Sequence, residues 1–290
     1  MEINQRVITQ ELQKLIKRGF TNTETCSVKI RDIVIDKSDN DKIIEKNIAD
    51  AVKQSYHDVL SDIDLTITIK ISPYDTISSD TYRKMLEKYG ITKDSYLGFT
   101  YVKEHQLYRI ILKNGMRYDM GFEFIQDETA AMITYDEASL GSFEDDNSTD
   151  WPLENADRFW FIQIQALAKL YRDDYLIADH LANTNINDTL VLQMMLRDKE
   201  YNTNIHRYGY RDTLQYLQNQ ENKCPYCKYD EVFNRIAEKL HQASIAFDQL
   251  AKQMNPKYMV RQEYYFEIWK CYDRELLRKT KHMHNWEIEV

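Results

Sequence analysis

The sequence predicts an α+β protein in which a mixed β-sheet domain over residues 1–150 precedes an all-α helical bundle domain over residues 151–290. Two segments of the first half have the pattern of strands. Residues 61–71 alternate between polar and apolar side chains, and residues 108–124 contain an Asn-Gly pair between two apolar-rich runs. The second half has almost no strand signal, and its apolar residues recur at helical spacing. Strands followed by helices are typical of the α+β class.

The other predicted elements follow from the same periodicities. In the first half they are a helix over 3–18, a strand over 28–35, a helix or irregular connector over 76–88, and a strand over 97–103. In the second half they are helices over 155–172, 174–183, 187–198, 229–254 and 259–279. The acidic segment 144–150 predicts an exposed linker between the halves.

The alternating segment carries the first candidate site. Its isoleucines and Leu65 share one face of the predicted strand, whereas Asp62 and Asp64 share the other face at the strand's entrance. Two neighbouring carboxylates repel each other unless a positive charge lies between them. Oxygen ligands of this kind suit Mg²⁺ that holds a nucleoside triphosphate. The alternative is a solvated strand end with two acidic residues.

The Asn-Gly segment carries the second candidate site. Asn114-Gly115 predicts a hairpin with a type I′ turn, in which both turn residues have positive φ. On the return strand, Arg117, Asp119 and Glu123 share the polar face. Aspartate is disfavoured in the middle of a strand, so Asp119 is a candidate functional residue. The alternative is a solvated face with local ion pairs, such as Arg117 with Glu123.

Three blocks together resemble a known family. Residues 61–65 are similar to the metal motif of the polymerase β-like nucleotidyltransferase superfamily. Residues 113–120 resemble the hairpin of the bacterial streptomycin/aminoglycoside 6-adenylyltransferases, and residues 157–175 resemble that family's Phe-Trp helix and the Arg-Asp-Glu segment after it. The resemblance implies that residues 1–150 form a nucleotidyltransferase catalytic domain and residues 151–290 a helical substrate-binding domain.

The resemblance also implies an enzyme and its chemistry. The expected reaction transfers AMP from ATP to a hydroxyl of an aminoglycoside-like small molecule, with Mg²⁺ as the metal and antibiotic resistance as the outcome. Asp62, Asp64 and Asp119 would bind the metal, and Asp119 is also the expected catalytic residue, accepting the proton of the hydroxyl. In-line positioning of that hydroxyl supplies most of the remaining catalysis.

The nucleotide-binding residues expected from the resemblance are Ser55, Gln54 and Arg117. Ser55 would contact a phosphate, and Arg117 would stabilise charge. Gln54 stands where the family has glycine, and a side chain there crowds the phosphate. Two other functions therefore stay open. One is a catalytically impaired member that acts as a ligand-binding or regulatory protein, and the other is a nucleotidyltransferase that modifies a protein.

The substrate-binding residues that we expect are Asp173, Asp174 and Asp179. Their carboxylates would recognise the amines of a cationic substrate in a cleft between the two domains. The alternative is that they mark a helix junction, because acidic residues favour the N-terminus of the helix that follows.

Composition excludes several classes of protein. The net charge of −9 argues against a nonspecific nucleic-acid binder, which needs a positive face, and it agrees with a cationic partner. No apolar run approaches the ~18 residues of a membrane span. The first residues lack the apolar core of a signal peptide, so we expect a cytoplasmic protein without a membrane partner.

The cysteines predict neither a disulfide framework nor a complete metal site. Four cysteines in 290 residues are too few for a disulfide scaffold. Cys224 and Cys227 have the spacing of half a zinc site, but no second pair completes the four ligands that structural zinc needs. The alternative interpretation is a tight turn before the helix predicted over 229–254.

Overall fold

The computed structural model describes residues 4–22, 24–56, 58–72, 75–126, 133–137, 140, 153–202, 223–226, 228 and 230–286. The chain forms two compact units, Met1–Asp145 and Asp146–Val290. Helices and a mixed sheet are both present, which confirms the α+β class. None of the described helices is long and apolar enough to cross a membrane.

The described residues of the first unit form two sheets. Its helices and strands are α1 (Gln5–Asn22), β1 (Thr25–Ile30), β2 (Ile33–Asp36), α2 (Asp41–Ser55), β3 (Ile63–Ile71), β4 (Thr76–Ile77), α3 (Ser79–Lys88), β5 (Tyr96–Val102), β6 (Leu107–Leu112), β7 (Arg117–Gln126) and β8 (Thr134–Tyr135). Six strands form one sheet in the order β2-β1-β3-β7-β6-β5. Within it β3 and β7 are parallel, and the other neighbours are antiparallel. Strands β4 and β8 form a separate parallel pair.

The predicted faces of β3 and β7 are confirmed. Every second residue of β3 from Ile63 to Ile71 is buried, and the residues between them are exposed or half-buried. On β7 the apolar face is likewise buried, from Tyr118 at 1% exposure to Phe124 at 8%. Burial of the apolar face stabilises each strand, and it thereby fixes the direction in which the polar face of that strand points.

The single strand predicted over 28–35 is wrong. The segment is a hairpin of β1 and β2 in which Ile30 pairs with Ile33, so that Arg31 and Asp32 form the turn. Arg31 adopts a left-handed conformation with a φ of 53°. Val28 and Ile30, at even positions, are buried before the turn, whereas Ile35, at an odd position, is buried after it. A single strand keeps one parity, so this change was the signal for the turn that the prediction missed.

The connector predicted over 76–88 divides into β4 and α3. The helix begins after Ser78, whose hydroxyl accepts from the backbone N–H of Thr81, while the Thr81 hydroxyl accepts from the N–H of Ser78. This capping box explains the start of the helix. The strand predicted over 97–103 is confirmed as β5. The predicted linker 144–150 lies outside the described residues.

The hairpin of β6 and β7 is confirmed, but its predicted turn type is wrong. Leu112 donates its N–H to the carbonyl of Met116, which leaves a three-residue loop rather than a two-residue one. Gly115 has a φ of 81°, and Asn114 is not among the described residues with positive φ. The Asn114 side chain accepts from the N–H of Met116 instead. A single left-handed glycine is typical of three-residue hairpin loops.

The second unit is helical in its described parts. Its helices are α4 (Leu153–Leu170), α5 (Tyr175–Tyr201), α6 (Glu231–Met254) and α7 (Gln262–Trp286). Aromatic side chains fill its core: the rings of Phe159 and Phe247 stack with centroids 3.6 Å apart, and the indole of Trp160 donates to the hydroxyl of Tyr258 at 2.8 Å.

Helix α5 replaces the two helices predicted over 174–183 and 187–198. The polar residues between them looked like a break, yet Asn185 is fully buried within one continuous helix. Its amide donates to the carbonyl of Phe159 at 3.2 Å and to the Gln163 side chain at 2.6 Å. A buried amide is tolerated when it is hydrogen-bonded. The acceptors of the Asn185 amide lie on α4, so the sequence of α5 alone does not reveal them.

Candidate functional site

Three predicted carboxylates come together at one edge of the large sheet. Asp62 immediately precedes β3, Asp64 lies on β3, and Asp119 lies on β7. The parallel pairing of these strands places Asp64 directly opposite Asp119. Parallel neighbours start at the same edge of a sheet, so two acidic residues that are distant in sequence share one face. We call these three residues the acidic triad.

Two arginines lie against the acidic triad. The Arg109 Nε donates to Asp119 Oδ2 at 2.9 Å, and the Arg109 Nη2 lies 3.8 Å from Asp62 Oδ2. The Arg117 Nη2 lies 3.6 Å from the same Asp62 oxygen, and its Nη1 donates to the carbonyl of Leu60 at 2.9 Å. Arg117 is 7% exposed, so it is a buried cation that fixes the loop before β3.

Arg117 and Glu123, which the sequence offered as an ion pair, have different partners in the structure. Arg117 points its guanidinium to the loop before β3, while the Glu123 carboxylate accepts from the hydroxyl of Thr68 at 3.4 Å. Thr68 is the residue opposite Glu123 in the parallel register. On the polar face of β7, the end with Arg117 is therefore buried and charged, whereas at the other end Glu123 is hydrogen-bonded to a hydroxyl.

Negative charge in the acidic triad is only partly compensated. Burial raises the pKa of Asp119, repulsion by Asp62 and Asp64 raises it further, and Arg109 opposes both effects. The pKa of the partly exposed Asp64 is also raised, first by desolvation and then by Asp62, with Arg31 and Arg109 acting in the opposite direction. Carboxylates in this state favour an additional cation.

The fit of Mg²⁺ to the acidic triad is mixed. The donor chemistry agrees, because hard carboxylate oxygens are what this ion takes. Within the described ranges, however, no group of three or more Asp, Glu, His or Cys side chains is arranged to hold a metal ion. The Nε of Arg109 already occupies one oxygen of Asp119. A cation that binds here therefore competes with Arg109.

The predicted nucleotide-binding residues Gln54 and Ser55 lie on the last turn of α2. Ser55 is 4% exposed, and its hydroxyl has no hydrogen-bond partner in the part of the chain that the structure describes. Gln54 is exposed, and its carbonyl accepts from the Arg31 Nη1 at 3.1 Å. The C-terminus of a helix carries partial negative charge, which opposes a phosphate at this position. Their role stays a prediction.

The predicted substrate-binding aspartates lie in the second unit, near the start of α5. Asp173 has a φ of 59° and accepts from the Tyr175 hydroxyl at 3.2 Å. Asp174 occupies the N-cap position of α5 without a side-chain capping bond, and its carboxylate lies 3.2 Å from the Lys169 ammonium. Both carboxylates thus already have partners at the junction of two helices.

Asp179 is the most firmly paired of the predicted substrate-binding residues. Its carboxylate accepts from the Lys239 ammonium at 2.7 Å and from the Asn183 amide at 3.4 Å. The hydrogen bond from Lys239 lowers the pKa of Asp179 below its usual range. A substrate amine would have to displace Lys239, so the bond between α5 and α6 is what this residue provides in the structure.

Only Cys224 of the cysteine pair lies within the described residues. Cys224 is buried, and its backbone N–H donates to the Glu238 carboxylate at 2.9 Å. Cys227 lies outside the described residues. Cys26, Cys224 and Cys271 are not in disulfide bonds. The zinc interpretation therefore stays without structural support.

Sequence reasoning missed two cations of the site, Arg31 and Arg109. Arg31 lies in the β1–β2 turn, which was predicted as continuous strand, and its charge acts on Asp64. Arg109 lies directly opposite Asp119 in the antiparallel register of β6 and β7. The signal for Arg109 was the alternation of β6, in which the apolar Tyr108 and Ile110 flank Arg109 and leave it on the polar face.

Comparison with known proteins adds no further constraint. A scan against models of protein families gives no match to this chain. A search of curated proteins gives no match either. The function is therefore argued from the residues of the site and from the resemblance that the three sequence blocks carry.

Proposed function

We propose that the protein is a Mg²⁺-dependent nucleotidyltransferase that acts in the cytoplasm and transfers AMP from ATP to a hydroxyl of an aminoglycoside-like cation. The observation that carries the proposal is the meeting of Asp62, Asp64 and Asp119 at one edge of the sheet, with Asp64 opposite Asp119. Acidic residues on two adjacent parallel strands create a local excess of negative charge that Arg109 and Arg117 offset in part. Transfer of the AMP group would inactivate the antibiotic.

Each residue of the site has a distinct task in this proposal. The acidic triad would hold Mg²⁺, which neutralises charge on the phosphate oxygens and orients them. Asp119 would accept the proton of the acceptor hydroxyl as a carboxylate general base. Arg117 holds Asp62 and the carbonyl of Leu60 in place. Arg109 keeps Asp119 oriented until the cation binds.

A second candidate is a member without catalysis that binds or senses a ligand. The observation in its favour is that Arg109 already pairs with Asp119, while Gln54 and Ser55 lie at the negative end of α2. In this case Arg109 replaces the metal permanently. The two candidates differ in one measurable respect, which is the release of pyrophosphate.

The test measures pyrophosphate released from ATP and Mg²⁺ in the presence of streptomycin and a panel of smaller aminoglycosides. We expect release that depends on an aminoglycoside and is lost in Asp62→Asn. Asp80→Asn is the matched control, because Asp80 lies on α3 in the same unit and its partners are Arg83 and Lys84. Release that persists in Asp62→Asn would refute the role of the acidic triad. Aminoglycoside binding without any release would favour the second candidate.

A further inference from the structure

A pocket of about 140 Å³ lies in the second unit, and none of the residues assigned a role above lines it. Its polar lining comes from Asn155 and Arg158 of α4 and Asp188 of α5. Its apolar lining comes from α5 and α6, and consists of Val191, Leu192, Met195 and Phe247. The pocket thus combines one carboxylate, one guanidinium and one amide with a largely apolar wall.

The charge of the Asp188 carboxylate is only weakly compensated by its partner, Arg158. Its side chain is 34% exposed, and its oxygen lies 3.8 Å from the Arg158 Nη1, which is too far for a hydrogen bond. Arg158 itself is 57% exposed and remains hydrated. Burial raises the pKa of Asp188, and the charge of Arg158 opposes that effect. By contrast, the Asp179 carboxylate on the same helix accepts from Lys239 at 2.7 Å.

Val191 and Met195 supply the accessible part of the apolar wall, since Val191 is 51% exposed and Met195 is half-buried. Leu192 and Phe247 are 1% and 2% exposed, and the Phe247 ring stacks on Phe159. An apolar cavity of roughly 150 Å³ accepts a ring of the size of benzene. The volume of this pocket therefore matches one six-membered ring, and Asp188 supplies a site for a positive group on it.

We infer that this pocket binds one ammonium-bearing six-membered ring, with Asp188 accepting from the ammonium and the ring against Val191 and Met195. The assignment of that ring to the amino sugar of the substrate rests on the proposed function. The ammonium replaces Arg158 as the partner of Asp188, and a direct hydrogen-bonded pair is stronger than the 3.8 Å contact that it replaces. Asp188, rather than Asp173, Asp174 or Asp179, then recognises the cation.

The test titrates the full-length protein with cyclohexylamine and with cyclohexanol at neutral pH, without ATP or Mg²⁺, and follows binding by calorimetry and NMR. We expect the amine to bind and the alcohol to bind at least tenfold more weakly. Asp188→Asn should weaken the amine at least tenfold, because a charged partner is lost. Arg158→Gln should strengthen it, because a competing cation is removed. Glu200→Gln removes one carboxylate charge from an exposed position of α5 outside the pocket lining, so it is the matched control and should leave binding unchanged.

Several results would overturn the inference. These are equal binding of the amine and the alcohol, unchanged binding in Asp188→Asn, and loss of binding in Arg158→Gln, which would indicate an anionic or zwitterionic ligand. Folding of the variants is checked by tryptophan fluorescence, since all four tryptophans of the chain lie in the second unit. Neutralising a desolvated carboxylate should not lower the stability of Asp188→Asn.

Activity separates this inference from the proposed function. Streptomycin-dependent pyrophosphate release with a raised KM in Asp188→Asn would support both. Release with an unchanged KM in that variant would refute the pocket as the substrate site and leave the nucleotidyltransferase intact. Amine binding that depends on Asp188, without any release, would support the pocket and count against the proposed function.

Discussion

Replacing Arg109 by glutamine should destabilise the first unit and make it more responsive to Mg²⁺. Arg109 pairs with Asp119 at 2.9 Å, and the two side chains are 21% and 14% exposed. Breaking a fully buried pair costs about 3–5 kcal/mol because one charge is left without a partner. Partial exposure places this pair below that range, at about 2 kcal/mol.

A double-mutant cycle isolates the interaction between the two residues. Asp119→Asn alone removes repulsion by Asp62 and Asp64 and should cost only about 1 kcal/mol. In the double variant neither member of the Arg109–Asp119 pair remains as a charge without its partner, so the loss should be smaller than the sum of the single losses by about 1–2 kcal/mol. Mg²⁺ should stabilise Arg109→Gln more than the wild type, because the competing guanidinium is absent.

Hydrogen exchange of peptides from β6 and β7 is the appropriate assay. Tryptophan fluorescence does not report on this unit, because Trp151, Trp160, Trp269 and Trp286 all belong to the second one. Additive losses in the cycle would show that Arg109 and Asp119 are energetically independent. An equal response of wild type and Arg109→Gln to Mg²⁺ would refute competition between the guanidinium and the cation.

Three further predictions concern single residues. Burial raises the pKa of Asp248 from 3.8 to about 6, so its contribution to stability is complete below pH 3.8 and is lost as the pH rises through 6. Relative to Asp248→Asn, the wild type should therefore lose about 2.5 kcal/mol between pH 4 and pH 7 by tryptophan fluorescence, and a pH-independent difference would contradict this. Gly115→Ala should cost about 1 kcal/mol in hydrogen exchange of β6 and β7, because alanine is strained at a φ of 81°, and an unchanged exchange rate would argue against the strain. Asn185→Ala should cost about 1–3 kcal/mol in denaturation of the second unit, because the Gln163 carbonyl loses its donor, whereas the exposed Asn187→Ala on the same helix should change stability by less than about 0.5 kcal/mol.

The elements that could be predicted are those in which one face is buried. The alternation in β3 and β7 identifies the buried residues and the polar positions of Asp64 and Asp119, because a strand with one buried face has a strongly specified orientation. The parallel pairing of the two strands could not be derived from that pattern. It depends on how the chain between them crosses the sheet, and this is a property of the whole unit.

Polar residues in helices were the harder case. The polar residues Thr184 and Asn185 lie in the gap between the two helices predicted over 174–183 and 187–198. In the structure the Thr189 hydroxyl donates to the carbonyl of Asn185 at 2.7 Å, and the Asn185 amide donates to α4. The partner of a buried amide lies on another element, so periodicity within a single helix does not reveal it.

Two sequence signals disagree about the position of Arg109. One is the turn that the Asn-Gly pair favours, and the other is the match between the apolar faces of β6 and β7. A two-residue turn at Asn114-Gly115 would pair residue 113 with residue 116, and would therefore set Arg109 opposite Met120 on the buried face. Tyr108 and Ile110 are 0% and 2% exposed, so matching the apolar faces of β6 and β7 requires Arg109 to lie on the polar face.

The three-residue loop satisfies this requirement at the expense of the turn that the Asn-Gly pair favours. It pairs Arg109 with Asp119, and Tyr108 with Met120. Burial of apolar side chains along a whole strand is worth several times the preference of one dipeptide for one turn, so the faces decide the register and the loop adapts. The charge balance of the acidic triad thus follows from apolar packing on the opposite side of the sheet.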